Sequence, residues 1–108
     1  MTNNPNQKMS IDLKTGETGP SQSLTFTPND GAHLSSYTYG GTDAFTVDAE
    51  FSLNEENFFE ILEICGFSSS NWFDELRAAD LPQCSQFADA FMERARKTGG
   101  SHVWWSDF

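Results

Sequence analysis

Glu56, Glu60 and Glu63 recur at spacings of four and three, and Asp48 and Glu50 at a spacing of two. On a helix the first set falls within about 60° of one side, successive members roughly 5–6 Å apart. On a strand the second set shares one face, about 6–7 Å apart. Carboxylates at these intervals match a phosphodiester backbone in charge and rough pitch. The chemistry they suit is attraction of a basic groove, which needs no base contact. The plainer alternative is a solvated acidic face. It has a cost, because like charges at i,i+4 destabilise a helix and no Lys or Arg lies near Glu56 and Glu60 in the chain.

Other chemistries find less support. A glycosidase-type acid and base must face each other across a cleft, which same-side helix neighbours do not provide. Asn29-Asp30-Gly31 is too short for a calcium loop. His33 and His102 have no second histidine or cysteine at ligand spacing, and neither HExxH nor CxxC occurs. A zinc site would need His33, His102, Cys65 and Cys84 to converge, and His33 reads more simply as a loop residue. Cys65 and Cys84 fall on apolar helical stripes, as buried small hydrophobes and not as nucleophiles. No GxSxG elbow supports a Ser-His-Asp triad. The sequence thus assigns no catalytic residue, cofactor or metal, and the expectation is a protein that is not an enzyme.

Net charge sharpens that expectation. Sixteen Asp and Glu oppose six Lys and Arg, for a formal charge of −10. Residues 1–23 and 77–108 are each balanced. The whole excess lies between 24 and 76, where ten acids meet no Lys or Arg. Such a field repels nucleic acid and anionic membrane and speeds encounter with basic partners. Direct nucleic-acid binding is therefore not expected. With no long apolar run and only two cysteines, the chain reads as cytoplasmic, without a membrane anchor or a disulfide framework.

The elements that carry these residues follow from periodicity. Residues 1–8 read as a flexible N-terminus and 9–108 as one acidic α+β domain. Met9, Ile11 and Leu13 alternate as a short edge strand, and Leu24 and Phe26 alternate before a Pro28–Gly31 turn. Leu34–Tyr39 and Asp43–Phe51 complete a meander through Gly40-Gly41. Ser52-Leu53-Asn54-Glu55 has capping-box spacing, which places Ser52 as N-cap of a first helix that ends at Gly66. A short second helix carries Trp72, Phe73, Leu76 and Ala79. Asp80, Pro82 and Gln83 start a third, whose stripe is Cys84, Phe87, Ala88, Phe91 and Ala95 and whose stop is Gly99-Gly100. The tail SHVWWSDF is a last strand or an extended cover. The architecture expected is a small antiparallel sheet of three to five strands with three helices packed on one face.

Trp104 and Trp105 are adjacent, so a strand would turn them to opposite faces, leaving one partly exposed. Exposed tryptophan beside carboxylates suits a protein interface. The expected partner-binding set is Asp43, Asp48, Glu50, Glu56, Glu60, Glu63, Trp104 and Trp105. The function expected is inhibition or sequestration of a protein with a basic surface, such as a nuclease or another nucleic-acid-binding protein. In charge character this is a nucleic-acid mimic or an inhibitor of the immunity or anti-defence type. The alternatives are a scaffold subunit, self-associating as a homodimer through its aromatic tail, and a small hydrolase whose cleft the linear sequence hides.

Overall fold

Alternating apolar residues mark strands at 9–13, 21–27 and 45–53, two further strands join them by pairing, and 3.6-residue periodicity makes three segments into helices. The computed structural model describes residues 8–14, 21–39 and 45–107, with side chains placed for 8–14, 21–36 and 49–102. The strands are β1 (Met9–Leu13), β2 (Ser21–Thr27), β3 (Gly31–Tyr39), β4 (Phe45–Leu53) and β5 (Ser101–Asp107). Between β4 and β5 come α1 (Glu55–Ile64), α2 (Trp72–Ala78) and α3 (Leu81–Thr98). The sheet is antiparallel throughout, in the order β1-β2-β3-β4-β5. The tail is thus a fifth strand, at one edge.

Register aligns the apolar positions into rows. Ile11, Leu24, Leu34 and Phe51 lie opposite one another across four strands, as do Met9, Phe26, Ala32 and Leu53. All but Met9 are buried, and the three helices pack over this face. Phe58 of α1 is the hub, with ring centroids 5.2 Å from Phe26, 5.0 Å from Trp72 and 6.2 Å from Phe91. Phe87, Ala88, Phe91 and Ala95 bury the α3 stripe, and Phe67 closes the core beside Phe87. Each large buried side chain contributes about 1.5–3 kcal/mol of transfer free energy.

Turns and caps define the joints. The Asp30 N–H donates to the Thr27 carbonyl at 3.0 Å, with Pro28 and then Asn29 at φ 70° between them. That pattern belongs to a type II turn. Gly31 follows at φ 126°, where a β-carbon would collide with the Leu53 carbonyl oxygen. Asp80 and Gln83 form the full capping box expected for α3, and Gly99 ends it in the left-handed region.

The first joint differs from the sequence expectation. Ser52 is not the N-cap of α1: β4 runs on through Leu53, and Asn54 accepts the Asn57 N–H at 2.9 Å instead. The cause is tertiary. The Ser52 N–H is held by the Gly100 carbonyl at 2.7 Å, and Ala32 of β3 pairs in register with Leu53. Sheet pairing on both sides therefore keeps these residues extended. Gly40-Gly41 and Asp43 lie outside the described residues.

Candidate functional site

Glu56, Glu60 and Glu63 project from the side of α1 opposite its buried Phe58, Ile61 and Leu62. They are not equivalent. Arg94 of α3 reaches across, its Nη1 lying 2.6 Å from Glu60 Oε1 and 2.7 Å from Asn57 Oδ1. Glu60, without a cation near it in the chain, thus gains one through the α1–α3 contact. Glu56 and Glu63 have no cationic partner among the described residues. They stand two turns apart, roughly 10 Å along the axis.

The strand acids lie elsewhere. Glu50 is exposed on the sheet face away from the helices, in register with Ser35 on one side and His102 on the other. Asp48 occupies the next position of the same parity, opposite Tyr37 and Trp104. Trp105 is opposite Val47, one step out of phase. Register thus places positions 48 and 104 in line with Glu50 on β4 and β5, while the sheet separates Glu50 from Glu56, Glu60 and Glu63. The acidic residues form two surfaces instead of one. Asp43 lies outside the described residues.

The basic side chains help explain why the acidic charge is left over. Lys14 donates to the carbonyls of Arg77 and Ala79, in the last turn and at the C-cap of α2. Arg77 lies over Phe73 beside Asp74, and Arg96 over the Phe51 ring at 5.4 Å. Lys97 pairs with Glu93 at 3.3 Å. Five of the six Lys and Arg are thus engaged, and Lys8 makes no such contact among the described residues. Glu55 and Glu75 accept hydrogen bonds from the backbone N–H groups of Asn29 and Ser68, a structural use of two of the acids.

One constellation is assembled mainly by strand register. His33, read as a loop residue, lies in β3 directly opposite Ser52 of β4. Its Nδ1 is 2.8 Å from Ser52 Oγ, and its Nε2 is 3.2 Å from Asp30 Oδ2. A carboxylate only accepts, so Nε2 carries the proton in neutral His33, and Nδ1 then accepts from the Ser52 hydroxyl. That is the order orienter, base, nucleophile. Ser52 also lines an open groove of about 380 Å³ with Glu50, Gly99, Gly100, Ser101 and His102. The Ser52 N–H is already bonded to Gly100, so it does not serve as an oxyanion donor. The only local hint was Asp30 three residues before His33; Ser52 arrives through strand register alone.

The cysteines are both free thiols. Cys84 is buried as expected, while Cys65, the C-cap of α1, packs against the core on the apolar side but is only half-buried. Burial pushes its thiol above the ordinary value. Among the described residues no group of three His, Cys, Asp or Glu is placed to hold a metal ion. No described helix is long and apolar enough to cross a membrane.

These features define a five-stranded meander backed by three helices, with two separate acidic surfaces. No family model, curated protein or solved structure matches the chain.

Proposed function

We propose that this is a non-catalytic acidic binding protein that sequesters or inhibits a partner with a basic surface, most directly a nuclease or another nucleic-acid-binding protein. The observation that carries this reading is the incomplete neutralisation of the acidic segment. Arg94 takes up Glu60, but Glu50, Glu56 and Glu63 keep their charge without a cationic partner among the described residues. A field of this kind accelerates encounter with basic surfaces and weakens with salt.

Because the acids occupy two sides, two charge reversals separate the surfaces. One variant carries Glu50→Lys; the other carries Glu56→Lys with Glu63→Lys. Each is immobilised beside the native protein and offered a cell lysate at low and high salt, with and without competing DNA. The reading expects nucleic-acid-binding proteins to be retained at low salt, displaced by DNA, and lost from one variant. Retention that ignores salt, DNA and both reversals would sink it.

A second reading, hydrolysis, is favoured by the Asp30–His33–Ser52 chain of hydrogen bonds. Here Ser52 Oγ attacks an acyl or phosphoryl centre while its proton passes to His33. A fluorophosphonate probe tests it: an O–P bond forms at Ser52, the P–F bond breaks, and fluoride leaves. Labelling of Ser52 that is lost in His33→Ala supports this reading. An unlabelled native protein removes it.

A further inference from the structure

We propose that β5 is an assembly edge and that its occupant is β5 of a second copy of this chain, joining two sheets across a two-fold axis. The strand order leaves β5 bonded to β4 on one side and to no other described strand. Its ladder can be read residue by residue. The Ser52 N–H donates to the Gly100 carbonyl, while Phe51 is in register with Ser101. Antiparallel ladders bond at every second residue. Positions 102, 104 and 106 therefore direct their backbone groups toward β4. Ser101, Val103, Trp105 and Asp107 present their N–H and C=O groups outward.

Exposed edges are usually blunted by shortness, lysine, proline or a bulge. The opposite edge follows that rule: β1 has five residues, carries Asp12, and is flanked by Lys8 and Lys14. β5 does not. It has seven residues, and SHVWWS contains no Lys, Arg, Asp, Glu or Pro before Asp107. The two edges of one sheet are thus treated differently, and the unprotected one carries two tryptophans.

Self-pairing also satisfies the register. With the two-fold axis at Trp104, Val103 meets Trp105 of the second copy and Ser101 meets its Asp107. Every outward backbone group of β5 then has a partner. The single carboxylate of the strand falls opposite serine instead of its own copy, so no like-charge pair forms across the seam. The two Trp104 positions form a non-hydrogen-bonded pair across the seam, the closer of the two antiparallel pairings, with Cα atoms about 4.5 Å apart.

The salt response distinguishes this contact from capture of a basic partner. Two chains of charge −10 repel, so added salt should strengthen the self-contact while weakening a basic complex. The test is the solution mass of the full chain over a concentration series, at low and high salt. The expected result is a monomer–dimer equilibrium that shifts toward dimer as salt rises. Val103→Pro removes an outward N–H and leaves the bonds to β4, so it should give a folded monomer. Trp104→Cys should form a disulfide-linked dimer on mild oxidation, because the axis brings those two positions together. A monomer at every concentration and salt would overturn the proposal, as would a dimer that gives no Trp104→Cys cross-link. A β5 edge that pairs only with a strand of another protein would also overturn it. None of these outcomes bears on retention of basic partners through Glu50, Glu56 or Glu63.

Discussion

At the residue scale, the contact between Arg94 and Glu60 does two jobs with opposite consequences. It ties α3 to α1 through Glu60 and Asn57, and it cancels one charge of the acidic helix. Arg94→Ala should therefore lower stability by about 1 kcal/mol, a modest value because Glu60 is half exposed. If α1 is the surface that meets a basic partner, the same variant should bind that partner more tightly. Thermal melting reads the first effect and partner retention the second. Cys65 makes a different prediction. Its thiol is held above its ordinary value of 9.0 by burial, so the folded protein resists ionisation there. The unfolded chain ionises first as pH rises. The stability contributed by the neutral thiol is thus complete below 9.0 and is lost as pH climbs through the raised value. Alkylation of Cys65 should be slow at neutral pH and accelerate above that point. Cys65→Ser should flatten the alkaline loss of stability measured by denaturant titration.

At the element scale, helix starts were partly legible in the sequence. Asp80, Pro82 and Gln83 specify the start of α3 within four consecutive residues, and the structure forms the box they encode. The same reasoning misplaced the start of α1 by two residues. Ser52 and Glu55 have the right spacing, but β3 and Gly100 claim the backbone that Ser52 would have used. Comparing the caps tests this account. Asp80→Ala and Asn54→Ala should each cost about 1 kcal/mol, since each removes a side-chain cap. Asn71→Ala should cost much less, because Asn71 makes no side-chain cap bond at the start of α2. Chemical denaturation of the three variants measures the order directly.

At the scale of the whole molecule, the sheet decides how charge is presented. It places the helix layer with Glu56 and Glu63 on one side and Glu50 on the other. A partner wide enough to touch both would have to wrap an edge, so a single face should dominate binding. The Glu50 reversal and the Glu56 and Glu63 reversals should therefore have unequal effects, the larger slowing association with a basic partner by roughly tenfold. Association rates at two salt concentrations give that ratio.

The sequence by itself determined what depends on near neighbours. Period-two and period-3.6 patterns marked the buried faces of β1, β2, α1 and α3, the Pro28–Asn29 turn was legible, and the acidic excess between 24 and 76 was countable. Tertiary structure decided what depends on residues far apart in the chain. Arg94 meets Asn57 across 37 positions, and His33 meets Ser52 across 19. The opposite sides on which Glu50 and Glu56 lie, and the place of β5 at the end of the described strand order, follow from packing and register. Periodicity specifies which face of an element is apolar. It does not specify which element lies beside it, because that depends on packing and register over the whole chain.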